Sequence, residues 1–228
     1  MKIKFHGHSC FEIFSGDSNL IIDPWLSDNP LADIKPDDVK AKYILVSHGH
    51  SDHFGDALEI AKQNDGTIIA PFELATFCEQ RGAAAHPMQI GGGYSFDFGH
   101  LKLTLALHGS GLIDGENIIY TGNPCGFLIQ IDGKTIYHAG DTGLFGDMKL
   151  IGDKYNIDAA LLPIGDNFVM GIDDAVTAVD FLKPKIAVPM HYNTFEVIKQ
   201  DPNDFKIKVE SKKLAEVKIL QPGESVEI

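Results

Sequence analysis

The sequence has few cysteines and no excess of positive charge, and both shortages restrict the class of protein it can encode. Its three cysteines, Cys10, Cys78 and Cys125, are an odd number and form no C-x-x-C pair. This pattern argues against a disulfide framework and against a Cys₄ metal site. The 19 basic and 32 acidic residues give a net charge of −13. Nucleic-acid binding normally needs a basic face, so we expect no nucleic-acid partner.

Long apolar segments and two common enzyme motifs are also missing. No apolar run approaches the length of a membrane span, and residues 1–6 enter strand-like sequence without the apolar stretch of a signal peptide. We therefore expect a cytoplasmic protein with no membrane partner. The glycines at 91–93 lack the G-x-G-x-x-G spacing of a dinucleotide site, and no G-x-S-x-G nucleophile motif occurs.

The 228 residues suit one α/β domain, predicted over 1–228, that can bury a full core. Strand-like apolar runs and helix-like segments are separated by turns in both halves of the chain. The expected strands are 2–6, 10–14, 19–23, 43–46, 67–70, 94–98, 101–107, 126–131, 134–139, 158–163, 185–190 and 216–220. The expected helices are 54–64, 71–81, 146–154, 173–183 and 202–213. This order predicts two sheets with helices outside them, an αββα four-layer sandwich.

The most informative segment is 48–53, which reads His-Gly-His-Ser-Asp-His. Imidazole and carboxylate side chains bind Zn²⁺, Mn²⁺ and Fe²⁺. Alternate residues of an extended segment point the same way, so His48, His50 and Asp52 can converge while His53 projects to another side. One short turn could therefore serve two adjacent metal ions.

Apolar runs end on a histidine or an aspartate at five separate places in the chain. The residues at these ends are Asp23, His48, His108, Asp141 and His191. Functional sites of α/β folds collect at the carboxyl ends of strands, so we expect these side chains to meet. The joint pattern is much harder to obtain by chance than one strand-end histidine.

These motifs resemble those of the metallo-β-lactamase superfamily: H-x-H-x-D-H, a later histidine, a Gly-Asp-Thr strand end and a final histidine. Further segments are similar to the UPF0173 group of metal-dependent hydrolases, close to the UlaG-like L-ascorbate-6-phosphate lactonase branch. They are 5–9, 23–25, 122–124, 137–142 and 189–193. The resemblance spans nearly the whole chain and implies two divalent metal ions, drawn from Zn, Mn, Fe and Ni.

The resemblance also implies a role for each matching residue. Seven side chains would be metal ligands: His48, His50 and His108 for the first ion, Asp52, His53 and His191 for the second, and Asp141 as a bridge. Asp52 and Asp141 are the candidate catalytic residues, and Asp52 would also orient the attacking water and accept its proton. Asp23 resembles an outer carboxylate that fixes the tautomer of a ligating histidine. His8, His138 and Asn193 are candidates for the second shell or the pocket, and for the two histidines a purely structural position is an equal alternative.

The expected activity is hydrolysis of a small ester- or lactone-type substrate by water activated at a dinuclear metal site. Three alternatives stay open: a phosphodiesterase or nuclease of the same superfamily, a redox enzyme similar to flavodiiron proteins, and a non-catalytic metal-binding module. Flavodiiron proteins resemble H-x-E-x-D, whereas this chain has His50 and no flavin-binding domain. The expected partner is a small molecule, and homo-oligomer formation is left open.

The surroundings of the site give two further expectations. Residues 109–124 form a long connection directly after His108, and long loops in compact domains often bind ligands or cover them. We predict that this loop shapes the pocket. Trp25, Phe168 and Met170 are by default buried core, with a wall of the substrate pocket as the alternative.

Overall fold

The computed structural model describes residues 1–16 and 18–228. The strands are β1 (Lys2–Phe5), β2 (Phe11–Ser15), β3 (Ser18–Ile22), β4 (Tyr43–Leu45), β5 (Thr67–Pro71), β6 (Ala84–Met88), β7 (Gly93–Phe96), β8 (Gly99–Leu105), β9 (Gly111–Asp114), β10 (Asn117–Tyr120), β11 (Cys125–Ile131), β12 (Lys134–His138), β13 (Ala159–Pro163), β14 (Ile186–Met190), β15 (Glu216–Val217) and β16 (Ser225–Glu227). The α-helices are α1 (Ser51–Phe54), α2 (Ala57–Gln63), α3 (Phe72–Gln80), α4 (Met148–Lys154), α5 (Ile172–Leu182) and α6 (Pro202–Ser211). Short 3₁₀ helices lie at Pro36–Asp38 and Glu196–Ile198.

Two mixed sheets form the centre of the molecule. The first has the strand order β16-β1-β2-β3-β4-β5-β6, and the second has the order β15-β14-β13-β12-β11-β8-β7. In the first sheet β3, β4, β5 and β6 are parallel, and in the second β12, β13, β14 and β15 are parallel. The hairpin β9–β10 stands apart from both sheets. Each sheet therefore presents a set of parallel carboxyl ends from which loops can deliver functional side chains.

The layers are held together by three apolar clusters. One lies between the two sheets, one joins the first sheet to α2 and α3, and one joins the second sheet to α4, α5 and α6. Strand β4 and the residue after it contribute side chains to two of these clusters. Tyr43 and Leu45 belong to the cluster between the sheets, whereas Ile44 and Val46 belong to the cluster under the helices. Both faces of such a strand are buried, which explains its uninterrupted apolar sequence. The αββα prediction is confirmed.

Most predicted elements lie where the sequence places them, with the bounds shifted by one to three residues. The helix predicted over 54–64 is an exception, because it is divided into α1 and α2 at Gly55. That residue has φ of +37°, and a Cβ there would lie 2.5 Å from the Cα of Trp25. The division lets α1 hold the Asp52–His53 pair in a separate short turn.

Strands β6 and β16 are missing from the prediction. The sequence of β6 is Ala-Ala-His-Pro-Met, which has little β-branched character and contains Pro87. Proline is tolerated there because β6 is an edge strand of its sheet. The strand predicted over 216–220 also ends early, at Val217. β16 instead follows it and pairs antiparallel with β1.

The segment 109–124 is not an irregular loop, as the prediction assumed, because most of it is the hairpin β9–β10. Asp114 pairs with Asn117 across a turn that contains Gly115, whose φ is +63°. A glycine at the first position of a two-residue turn between two apolar runs is a hairpin signal, so this turn could have been predicted from the sequence. Among the helices described, none is both long and apolar enough to cross a membrane.

Candidate metal centre

Strand ends from both sheets converge on one cluster of histidines and aspartates. His48 follows β4 of the first sheet, and His108, Asp141 and His191 follow β8, β12 and β14 of the second. Asp23 follows β3 directly behind this group. The five predicted strand-end residues are therefore brought together, as the positions of the apolar runs required.

The first group consists of His48, His50 and His108, with one nitrogen of each within 4.8 Å of the others. His50 Nδ1 lies 3.0 Å from His48 Nε2 and 3.2 Å from His108 Nε2. Nitrogens bound about 2.0–2.1 Å from a tetrahedral ion stand roughly 3.3 Å apart. The spacing therefore fits three ligands of one ion.

The second group consists of His8, Asp52, His53 and His191, again within 4.8 Å of one another. Asp52, His53 and His191 are the three residues predicted to lie together. His8 joins them from the β1–β2 turn, with its Nε2 3.2 Å from Asp52 Oδ2 and its ring centroid 4.0 Å from that of His191. The sequence left the position of His8 open, and the structure brings it into contact with the predicted ligands.

Asp141 stands between the two groups. Its Oδ2 lies 2.9 Å from His191 Nε2, 3.2 Å from His53 Nε2 and 3.5 Å from His108 Nε2. The side chain is buried, and the neighbouring Gly140 has φ of +61° with no room for a Cβ, which would lie 2.4 Å from the Cys125 carbonyl oxygen. One carboxylate oxygen close to nitrogens of both groups is the arrangement that a bridging ligand needs.

Several buried polar atoms of this cluster have no hydrogen-bond partner. They are His53 Nε2, Asp141 Oδ1 and both ring nitrogens of His191. Asp141 Oδ2 lies 3.2 Å from His53 Nε2 and 2.9 Å from His191 Nε2 without forming a hydrogen bond with either. Unsatisfied buried polar groups cost about 1–3 kcal/mol each, so the three atoms that lie together, His53 Nε2, His191 Nε2 and Asp141 Oδ1, need a common explanation. Imidazole nitrogens and carboxylate oxygens are ligands of divalent transition metals, and these residues fit such ions.

Electrostatics keep His48, His50, His108 and Asp141 in states that can bind cations, whereas, against the effect of burial, Asp141 and Asp23 raise the pKa of His53. Burial, reinforced by nearby imidazoles such as His53, holds the pKa of His48 well below its ordinary value. Burial likewise lowers the pKa of His50 and His108, and the neutral imidazole is the form that ligates metal. Burial opposes ionisation of Asp141, but the neighbouring His191 and His53 outweigh it and keep its pKa well below the usual range.

Asp23 lies behind the cluster and contacts it through both carboxylate oxygens. Oδ1 accepts a hydrogen bond from the Ser47 backbone N–H at 2.7 Å, and Oδ2 accepts one from Ser47 Oγ at 2.7 Å. Oδ2 also lies 2.9 Å from His53 Nδ1, which fixes the proton there and leaves Nε2 for a ligand. Ser47 Oγ in turn lies 2.9 Å from His48 Nδ1. One buried carboxylate thus orients histidines of both groups, which supports the role predicted for it.

We expect Asp23→Asn to weaken metal binding by about 10–100-fold. An amide cannot accept hydrogen bonds from all the donors that face Asp23, and as a result the tautomer of His53 is no longer fixed. Competition with a chromophoric chelator measures the affinity. Glu12→Gln is the matched control, since Glu12 is a buried carboxylate that contacts another histidine, His6, at 2.9 Å outside the cluster. Equal metal affinity in the two variants would contradict this role for Asp23.

His138 and Asn193 lie outside the ligand groups. His138 Nε2 lies 3.1 Å from the Ser9 carbonyl oxygen, and its Nδ1 accepts from the Gly140 N–H at 3.1 Å. Both nitrogens are occupied, so His138 ties the turn of His8 to the turn of Asp141. Asn193, placed by the prediction in the second shell or pocket, is exposed and accepts from the Gln200 N–H at 2.9 Å. It braces the loop that follows His191, and its place in the second shell or pocket stays a prediction.

A cavity of about 810 Å³ adjoins the cluster, with Gly49 and Asp52 in its wall. Trp25 and Phe168 also line it. Phe168 is 54% exposed, so its default assignment to the core is wrong, whereas Trp25 is buried as well as lining the cavity. Met170, in contrast, belongs to the core under the helices. Residues 112–114 of β9 line the cavity as well, so segment 109–124 shapes the pocket as predicted, although as a hairpin.

Comparisons with known proteins agree with this geometry. Residues 2–191 match the model of the beta-lactamase superfamily domain. The chain is 56% identical over 229 residues to a UPF0173 metal-dependent hydrolase of Pelotomaculum thermopropionicum, with 100% of both chains covered. It is 54% identical over 228 residues to one of Bacillus thuringiensis subsp. konkukian, with 99% of both covered.

Solved structures give the same result. Igni18, described as a metallo hydrolase from the archaeon Ignicoccus hospitalis, superimposes with a TM-score of 0.90 at 39% identity, covering 99% of this chain and 97% of that one. An isothiocyanate hydrolase from Delia radicum gut bacteria gives a TM-score of 0.78 at 19% identity, covering 100% and 99%. At that identity the second likeness concerns the fold alone.

Proposed function

The chain belongs to the beta-lactamase superfamily and to the UPF0173 metal-dependent hydrolases, and on that basis we propose that it hydrolyses small ester- or lactone-type substrates at a dinuclear metal site. The observation that carries the proposal is the pair of ligand groups on either side of Asp141. A closed structural site needs one set of four ligands, whereas here two sets share one carboxylate.

Seven residues would hold the ions: His48, His50 and His108 on one side, Asp52, His53 and His191 on the other, and Asp141 between them. Their nitrogen and oxygen donors suit Zn²⁺, Mn²⁺, Fe²⁺ and Ni²⁺. When bound, two such ions lower the pKa of a water molecule towards neutrality and polarise the oxygen of a scissile carbonyl. Asp141 and Asp23 supply the negative charge that offsets the ions in this buried position.

Asp52 is the group best placed to accept a proton from the attacking water. It belongs to the second ligand group and also lines the cavity, so it lies where a substrate would meet the cluster. A carboxylate in that position can take the proton of the water and pass it to the leaving oxygen.

His8 is proposed to position Asp52. Its Nε2 lies 3.2 Å from Asp52 Oδ2, and its Nδ1 lies 2.9 Å from Thr194 Oγ1. Burial, reinforced by nearby His191, lowers the pKa of His8 to about 4, so its ring is neutral. A neutral ring that donates from Nε2 must accept at Nδ1, where the Thr194 hydroxyl donates. The chain Thr194–His8–Asp52 thus fixes the direction of the carboxylate.

The charge of the cavity supports a small uncharged substrate over a phosphodiester or a nucleic acid. Apart from the proposed ligand Asp52, its wall contains three aspartates, Asp28, Asp56 and Asp114, and one basic side chain, Arg81. The whole chain carries a net charge of −13. A polyanion would gain little from this surface, because phosphate contacts are normally supplied by lysine and arginine.

Metal reconstitution followed by a hydrolysis screen tests the proposal. The stripped protein is loaded separately with Zn²⁺, Mn²⁺, Fe²⁺ and Ni²⁺, and the bound metal is counted by mass spectrometry. We expect two ions per chain and metal-dependent hydrolysis of aryl esters and γ-lactones that exceeds hydrolysis of bis(p-nitrophenyl) phosphate. A single ion per chain, a faster phosphodiester reaction, or no hydrolysis by any loaded form would overturn the corresponding part of the proposal.

A further inference from the structure

The wall of the cavity beside the metal cluster is largely apolar, and several of its side chains are exposed. Ile113 is 74% exposed, Phe168 54% and Phe195 39%. These residues come from three segments far apart in sequence, namely β9 and the loops that follow β13 and β14. Exposed apolar side chains that gather around one concave surface mark a place where another apolar group is covered from water.

The only basic side chain of the wall, Arg81, already has partners. Its guanidinium lies 3.3 Å from the ring centroid of Phe77, and its Nη2 lies 3.6 Å from Asp114 Oδ2. The other charged side chains of the wall are aspartates. A carboxylate or phosphate carried by the distant end of a substrate would meet like charge here and would have to displace an existing ion pair.

We propose that the substrate is an uncharged apolar acyl compound, an ester or lactone whose alkyl or aromatic substituent extends from the metal cluster into this cavity. This inference rests on the proposed hydrolase function and narrows its substrate class. Hydrolysis forms a bond from the water oxygen to the acyl carbon, breaks the bond from that carbon to the leaving oxygen, and transfers a proton from the water to that oxygen. A phosphorylated lactone, the substrate type of the branch that the sequence resembles, fits this wall poorly.

Ile113 is the residue that we assign to selectivity for the substituent. It lies on the hairpin β9–β10, opposite Ile118 on the neighbouring strand, and both are largely exposed. Its neighbour Leu112 packs against the apolar cluster under the helices of the first sheet. The hairpin is therefore anchored through Leu112, while Ile113 remains available to a substituent in the cavity.

The chain contains a built-in probe for the test, because Trp25 is its single tryptophan and lines the cavity. Metal-loaded protein is titrated with n-alkyl hydroxamates from two to eight carbons while Trp25 emission is recorded. The hydroxamate head ligates metal, and the tail extends from the cluster. We expect Kd to fall by about fourfold per added methylene. An eight-carbon hydroxamate that ends in a carboxylate is expected to bind at least roughly tenfold more weakly than octanohydroxamate.

Two isoleucine-to-serine variants test whether the dependence of Kd on tail length arises in the cavity. Ile113→Ser should weaken octanohydroxamate binding by roughly fivefold to tenfold and leave the two-carbon compound unchanged. Ile207→Ser is the control, because Ile207 is 65% exposed on α6 and does not line the cavity. A Kd independent of tail length, tight binding of the carboxylate-ended compound, or equal effects of Ile113→Ser on short and long tails would each overturn the proposal. The readout needs no turnover, so failure of the hydrolase proposal would be seen separately, in the hydrolysis screen.

Discussion

Asp141→Asn is expected to lower kcat/KM for an ester substrate by at least about 10³-fold and to release most of the bound metal. Asp141 Oδ2 lies within 3.5 Å of nitrogens from both ligand groups, so its charge serves both at once. An amide is of nearly the same size but carries no charge and bridges two cations poorly. The buried imidazoles would then hold two divalent ions with one fewer negative charge in a region of low dielectric.

The measurement for Asp141→Asn combines metal content by mass spectrometry with steady-state kinetics. Asp158→Asn is the matched control, because Asp158 is also a buried aspartate and lies directly before β13 of the second sheet. It accepts hydrogen bonds from the Thr135 N–H and from Lys185 Nζ at 2.9 and 2.8 Å and belongs to neither ligand group. We expect this control to retain metal and activity. An Asp141→Asn protein with two ions and wild-type turnover would exclude a bridging role.

The fold and the convergence of the predicted ligands could be predicted because both follow from short local patterns. Apolar runs such as 43–46 and 186–190 are buried on both faces, and the residue that follows such a strand lies at the edge of the sheet. A histidine or aspartate at that position therefore lies at the same edge as the residues that follow the neighbouring parallel strands. In addition, His48, His50, Asp52 and His53 are so closely spaced that one turn contributes ligands to both groups.

The role of His8 could not be predicted from sequence, because its contacts are distant in the chain. Its partner Thr194 lies 186 residues away, and Asp52 lies 44 residues away. His8 also has φ of +56°, a left-handed conformation that is uncommon for residues other than glycine. Asp23 and His191 have similar values, +46° and +54°. Aspartate and histidine adopt this conformation more readily than most residues, but that preference alone does not locate these turns.

The cavity wall was mispredicted for a related reason. Phe168 is a large apolar residue in a loop, and the general rule places such residues in a core. In this fold the loops after β13 and β14 emerge beside the metal cluster, so their aromatic side chains cover a concave surface instead. The sequence shows which residues are apolar, whereas the tertiary structure decides whether protein or a ligand covers them.

Asp52→Asn is expected to lower kcat by about 10²–10³-fold with a much smaller change in metal content. The amide oxygen can still ligate an ion, but the amide cannot accept the proton of the attacking water. KM should change little, because the apolar wall that contacts the substrate is untouched. Asp28→Asn is the control, since Asp28 is an exposed aspartate of the same cavity and outside both ligand groups. Full activity of Asp52→Asn with both ions bound would contradict the proposed role of this carboxylate as proton acceptor.

A double-mutant cycle with His8 separates proton acceptance from positioning. If His8 acts only by directing the Asp52 carboxylate, His8→Gln should lower kcat less than Asp52→Asn does. Adding it to Asp52→Asn should then cost almost nothing further, because the carboxylate that it orients is already absent. Two effects that simply multiply would show that His8 contributes independently, for example as a ligand of the second ion, to whose group it belongs by distance. Metal content measured on the same four proteins distinguishes that outcome from a loss of binding.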